Sequence, residues 1–253
     1  MLGKVLKYDF KYMGKMLIPL YAITIGLSLL TRLFYMLADK YSIFEVLSFF
    51  TNISGIALMV ASLVFTLITV IKRFYTNLFK EEGYLTNVLP VKLNTHILSK
   101  LISALVFNIF GVLAVVGSLA IMYWSVELAE SIRAILDTFG EFIPYILLYM
   151  VLALQESEML ICAAYSLGQT QSKNKIPYAV VFGIVLYSIA QVIAMVGIGI
   201  LMLTHPNYLE LLENMDMGAI RTTMISMNIF PVIDMIMYYL VMRLSLNKKM
   251  DLE

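Results

Sequence analysis

The sequence holds one cysteine, Cys162, and two histidines, His96 and His205, in 253 residues. A lone cysteine within an apolar run excludes an intrachain disulfide framework. Histidines in two different loops exclude a zinc cluster built on them. No GxxxxGK[ST] loop is present, so this chain does not itself cradle and hydrolyse a nucleotide in the usual way. A glutamate pair resembling an intramembrane metalloprotease motif, Glu81 and Glu82, lies in a loop with no histidine beside it, and that enzyme reading is set aside. Charge is scarce as well. Only 14% of residues are charged, against about a quarter in a soluble domain, and the net charge is +1. Nothing forms a basic stripe for nucleic acid. No solenoid-type repeat is visible, and the two halves show no convincing sequence match.

What is present is apolar: 61% of residues are hydrophobic, and the mean hydropathy is +0.87. A membrane-crossing helix needs roughly 20 mainly apolar residues, since a rise of about 1.5 Å per residue must cover about 30 Å of hydrocarbon. Six runs satisfy this, at 16–36, 53–71, 101–123, 143–167, 176–204 and 222–242. They predict an all-α integral membrane protein with six transmembrane helices in a single transmembrane domain, 1–253. The first run follows a basic stretch and has no small-residue cleavage site after it, so a retained anchor is expected rather than a cleaved signal peptide.

Orientation follows from the lysines. Placing both termini and the loops 72–100 and 168–175 in the cytoplasm puts fourteen of the eighteen Lys and Arg residues inside. Outside remain Arg32, Lys40, Arg133 and Arg221, among nine acids. Residues 1–15 thread Val5, Leu6, Phe10 and Met13 between four lysines and Asp9, the pattern of an amphipathic helix at the headgroup level, or else of a basic leader without fixed structure. The outer stretches 125–142 and 205–221 carry apolar residues at helical spacing too.

The longest polar interruption is 72–100, KRFYTNLFKEEGYLTNVLPVKLNTHILSK. A basic entrance, the acidic pair with Gly83, a Leu89–Pro90 break and a polar start at Asn94 and Thr95 describe short amphipathic helices on a membrane or a partner.

Three acids fall within spans: Glu156 and Glu158 in the fourth and Asp234 in the sixth. Each costs on the order of 2.5–3.5 kcal/mol at a helix centre. Gln155 and Gln191 are the nearest polar candidates to bond them. Residues two apart on a helix diverge by about 200°, so Gln155, Glu158, Cys162 and Tyr165 share one face while Glu156 looks away with Ala163. One acid is expected to line a path and the other to bridge helices, and polar glue between helices is the alternative for each. These five residues, Gln155, Glu156, Glu158, Gln191 and Asp234, form the candidate translocation path. Carboxyl groups without fixed positive charge, beneath acidic outer loops, favour cationic or amphipathic cargo, and the methionine-rich lining suits varied shapes. Gly183, Ala190, Ala194 and Gly197 in the fifth span are read as a close-packing seam.

The six-span plan, the leader MLGKVLKYDFKY, the stretch RFYTNLFKEEGYLTNVLPVKLNTHILSK and the segment AAYSLGQTQSKNK together resemble the permeases of type-2 ABC exporters, in particular small bacterial ABC permeases of Gram-positive type. The resemblance implies a bacterial plasma-membrane subunit that forms a homodimer or a heterodimer with a second permease. It implies a separate ABC ATPase that binds ATP and Mg, with no cofactor in this chain. It further implies a connecting helix at 1–15, a cytoplasmic coupling helix within 75–90, and re-entrant gate helices near 205–221. Phe79, Lys80, Glu81, Glu82, Gly83, Tyr84 and Leu85 would then dock on the ATPase. Export of an amphipathic or cationic peptide is the expected activity, with lipid or lipid-linked cargo as the alternative. A proton-coupled secondary transporter and a non-transporting scaffold are the rival classes.

Overall fold

The computed structural model describes residues 2–79, 93–123, 139–171, 173–204, 214 and 216–247. Within them the chain forms six long helices: α1 (Leu2–Ala38), α2 (Ser42–Phe79), α3 (Leu93–Met122), α4 (Ile143–Gly168), α5 (Lys175–Thr204) and α6 (Met217–Asn247). A 3-10 turn, Gly140–Phe142, leads into α4, where Pro144 occupies the first turn and needs no helical N–H partner. All six helices are long and apolar enough to cross a membrane, and the described residues contain no strand.

The helices outrun the apolar runs at several ends, because a helix bonds its own backbone and can continue through headgroups into water. α2 has 38 residues, about 57 Å at the standard rise and well beyond the hydrocarbon. Residues 72–79, expected within the polar loop, are its last two turns, and the chain is helical again from Leu93. The loop is therefore narrower than 72–100. Residues 1–15 were expected as a helix of their own; α1 runs without a break from Leu2 through Pro19 to Ala38.

Contacts group the chain into two compact units, Met1–Arg73 with Thr95–Glu141, and Phe74–Asn94 with Phe142–Glu253. In the first, three polar nodes tie α1, α2 and α3 at three heights. At one end Asp9, 1% exposed, accepts a bond from Arg73 Nε at 2.9 Å and another from Ser99 Oγ at 2.7 Å. Lys100 Nζ stands 3.8 Å from the same carboxylate, and the Arg73 guanidinium lies 4.7 Å over the Tyr12 ring. In the middle Tyr21 Oη is 2.7 Å from Thr66 Oγ1 and donates to the Phe107 carbonyl at 3.1 Å. At the far end Asn52 donates to Tyr35 Oη and accepts from Tyr123 Oη.

Positions 9, 21 and 35 ascend α1, positions 99, 107 and 123 ascend α3, and positions 73, 66 and 52 descend α2. The bundle is therefore up-down-up. Its end nodes are 26 residues apart on α1 and 21 on α2, roughly 30–40 Å, which is the depth of a bilayer from one headgroup layer to the other. Between the nodes Met13, Leu17, Val70, Ala104, Phe107 and Ala114 pack together. Buried hydroxyls, among them Thr24, Ser28, Thr31, Ser62, Thr66 and Thr69, bond carbonyls three or four residues back. Each is thereby satisfied within its own helix and is small enough to let neighbours close in.

In the second unit α4 packs against both α5 and α6, which scarcely touch each other. Asn228 Nδ2 donates to the Tyr145 carbonyl at 3.2 Å near the start of α4, and Ser245 Oγ donates to the Ser166 carbonyl at 2.5 Å near its end. The two helices thus run parallel, as an intervening crossing by α5 requires. Gly168 closes α4 where no side chain fits: a Cβ there would lie 2.6 Å from the Lys175 carbonyl and 2.7 Å from Ala179 Cβ. The expected small-residue seam is present in part. Gly183 lies against Ala164, Ala190 is buried, and a Cβ at Gly197 would meet the Phe230 ring at 2.2 Å.

Candidate functional site

The buried face of α6 reads Asn228, Pro231, Asp234, Tyr238, Met242 and Ser245. Steps of three and four residues keep these on one stripe. Pro231 lacks the N–H that would bond the Met227 carbonyl, a break that membrane helices tolerate where neighbours cover it. One turn later Asp234 is 4% exposed, and Tyr238 beyond it is fully buried. Asp234 Oδ1, Tyr238 Oη and Asn228 Oδ1 have no hydrogen-bond partner among the described residues.

The facing stripe of α4 carries Val151, Gln155, Glu158, Met159, Cys162, Ala163 and Ser166, all buried. Gln155, Glu158 and Cys162 share a buried face, as their spacing predicts. Glu156, pointing elsewhere on α4, is only half-buried, and it is close enough to Asp234 for the two to repel if both ionise. Tyr238 lies within the same electrostatic neighbourhood as Asp234, Glu156 and the α5 residue Tyr187. Three helices therefore contribute to one group of two carboxyls and two phenols, and no Lys or Arg occurs between residues 176 and 220 or between 222 and 242.

That arrangement has definite chemistry. In a low-dielectric interior an ionised carboxylate attracts a cation strongly, and two carboxylates close together repel. A cation, or protons on the carboxyls, relieves both costs. The phenol of Tyr238 is both donor and acceptor and can bond a carboxyl in either form.

The structure thus joins two of the five path residues, Glu156 and Asp234. Gln155 and Glu158 are buried on the α4 stripe, whereas Gln191 is exposed on α5. Tyr238 and Tyr187 went unnoticed in the sequence; the spacing of Tyr238 four residues after Asp234 was the available signal. Asp9 was read only as one charge among the lysines of 1–15, although it sits on the apolar stripe Leu6, Asp9, Met13, Leu17 of its helix.

Of the expected coupling residues, Phe79 ends α2, and Lys80, Glu81, Glu82, Gly83, Tyr84 and Leu85 lie outside the described residues. The stem that leads to them is fixed, since Tyr75 meets Tyr165 of α4 edge-on with centroids 4.8 Å apart. Of the expected gate segment, 205–213 and 215 lie outside the described residues, as do 124–138. Its end forms the start of α6, where Asp216 Oδ2 accepts the Ala219 N–H at 2.9 Å as a cap. Among the described residues no three His, Cys, Asp or Glu side chains stand together as metal ligands.

A scan of protein-family models and searches of curated proteins and of solved structures give no match to this chain. What stands is the class defined by its helices, a multi-pass membrane protein with six apolar helices able to cross a bilayer.

Proposed function

We propose that this chain is the transmembrane permease subunit of an ATP-driven exporter of the type-2 ABC kind, moving an amphipathic or cationic peptide out of a bacterial cell. The observation that carries the cargo class is the grouping of Glu156 of α4 with Asp234 and Tyr238 of α6, in stretches of those helices, 143–168 and 222–242, that hold no Lys or Arg. Such a lining favours positive charge on whatever passes or binds there.

Coupling to ATP hydrolysis rests on the sequence of 72–100 and its likeness to exporter permeases. The stem contact between Tyr75 and Tyr165 supports it, because it links α2, which leads into that segment, to α4, which carries Glu156. On this reading both termini are cytoplasmic, an ABC ATPase supplies ATP and Mg chemistry, and Phe79 to Leu85 form the docking segment. A second permease, identical or not, completes the pathway. α5, with only 11% of its most apolar window buried, leaves the largest apolar face for lipid or for that subunit.

Mild purification from the native host, with identification of co-purifying subunits, tests the partner. An ATPase should co-purify, and reversing Glu81 and Glu82 to lysine should release it without loss of membrane insertion. Cargo is tested by reconstituting the complex and comparing ATPase stimulation by cationic peptides, neutral analogues and lipids, in wild type and Asp234→Asn. Equal stimulation by charged and neutral peptides would refute the electrostatic selection. A chain that transports alone and acidifies or alkalinises the vesicle lumen would instead be a proton-coupled secondary transporter, a reading the same carboxyl group favours.

A further inference from the structure

The first unit contains an apolar slot of about 720 Å³ between α1 and α3. Its floor is Tyr21, Phe107 and Ala114, each more than nine-tenths buried, and its rim is Ile18, Phe110 and Leu113, each at least half exposed. The floor is held from behind: Tyr21 Oη is bonded to Thr66 and to the Phe107 carbonyl, so its ring has a fixed position. The slot is thus a groove of set shape, open along one side, on a helix pair long enough to cross a membrane.

Its position along α1 indicates what fills it. The lining runs from Phe10 to Ile25, about 22 Å of helix, enough to take an acyl chain through one leaflet, whose hydrocarbon is about 15 Å deep. Phe10 lies one residue from Asp9, so the slot begins at the level of the Asp9–Arg73–Lys100 charges, where headgroups reside.

Above the mouth the surface is basic. Lys7, Gly14 and Tyr21 are seven residues apart along one edge of the slot face, and Lys11, Ile18 and Ile25 are seven apart along the other. Both lysines are exposed. The acid of that stretch, Asp9, faces inward and is bonded by Arg73 and Ser99, so it neutralises neither. A side chain at Gly14 would stand 3.6 Å from the Phe107 ring, and its absence keeps the path from the lysines to the slot open.

We propose that this groove is a specific site for one anionic phospholipid, with its phosphate between Lys7 and Lys11 and an acyl chain lying in the slot over Tyr21 and Phe107. A chain tail explains the apolar floor, and a phosphate explains the two cations placed over its entrance. The site is independent of the transport path and of any ATPase. It makes the first unit selective for anionic lipid at this one groove.

The test uses the purified full chain in nanodiscs of phosphatidylcholine containing phosphatidylglycerol whose acyl chain carries a photoreactive diazirine. Labelled phosphatidylcholine of the same chain serves as control. Adducts of the anionic lipid should map to Ile18, Ile25, Phe110 or Leu113, with a preference over phosphatidylcholine of up to roughly thirtyfold, the size expected for two lysines beside one net negative charge. Lys7→Gln with Lys11→Gln should erase that preference while leaving low, equal labelling by both lipids. Ala22→Trp, which fills the slot, should abolish labelling by both. Leu113→Trp on the opposite wall serves if the first variant does not fold. Equal labelling by the two lipids in wild type, adducts spread evenly around α1, or unchanged labelling in both slot-filled variants would overturn the site. So would a crosslink through the slot to a second copy of the chain.

Discussion

The two units hold polar groups inside apolar helices in different ways. In the first, Asp9, Tyr21 and Asn52 are each bonded to two other helices, and the intervening Ser and Thr hydroxyls bond their own backbones. These three nodes join helices and fix register and height, although His96 and Ser118 of α3, in the same unit, also have buried polar atoms with no hydrogen-bond partner among the described residues. In the second, the helices are joined at the ends of α4 by the Tyr145–Asn228 and Ser166–Ser245 bonds, while Asp234 and Tyr238 sit between with buried oxygens unbonded among the described residues. An isolated buried polar atom weakens a fold, and in α6 two of them, on a carboxyl and a phenol, stand one turn apart inside a span, where ionisable groups are costly. The contrast is between three polar nodes that cross-link helices and a carboxyl–phenol group, Asp234 with Tyr238, whose buried oxygens cross-link none of the described ones.

Removing the carboxylate from each unit should break the comparison open. Asp9→Leu leaves Arg73 and Lys100 buried without their shared anion, and the expected loss is about 3–5 kcal/mol, the scale for orphaning a buried ion. Thermal unfolding in detergent should show a large drop, with a matching fall in folded yield. Asp234→Leu, by contrast, removes a carboxyl with no described hydrogen bond, and replacing such a group with an apolar one of similar size is neutral to stabilising by about 1–2 kcal/mol. Its midpoint should hold or rise while any transport or cation binding is lost. If both variants fall equally, the distinction between the units is wrong.

Smaller changes sharpen the same contrast. Gly197→Ala forces a methyl into the Phe230 ring and should cost about 1–3 kcal/mol by overpacking, seen as a lower midpoint with unchanged helix content by circular dichroism. Tyr21→Phe loses the bonds to Thr66 and Phe107 and should cost about 1 kcal/mol. Tyr238→Phe removes a hydroxyl that no described group bonds, and its stability should change by less than that. The pair of Tyr→Phe variants, compared by thermal unfolding, separates a structural phenol from one reserved for function.

The sequence alone determined the class of protein and the positions of its helices. Apolar runs of about 20 residues have one stable arrangement in a bilayer, a helix that bonds its own backbone, so six runs mean six helices. The starts of α4 and α5 fall within one residue of expectation because proline and polar turns mark them. Helix ends that run on into polar segments were harder to place: at 72–79 and 2–15 nothing stops the helix, and hydropathy reports the membrane rather than the helix. The stripe assignments on α4 were legible in part: Gln155, Glu158 and Cys162 follow from helical period, whereas Ala163, expected on the side of Glu156, is buried along with them.

Tertiary structure decided which polar groups meet. That Asp9 binds Arg73 and Ser99, 64 and 90 positions away, depends on the up-down-up order and on register between helices, which periodicity within one helix cannot specify. The same holds for Glu156, which spacing turned away from Glu158 and which packing brought to Asp234 and Tyr238. Which helix stands across from a given face is set by side-chain packing between segments far apart in the chain. The face of each helix could be read from its own residues, whereas its neighbour was set only by the folded bundle.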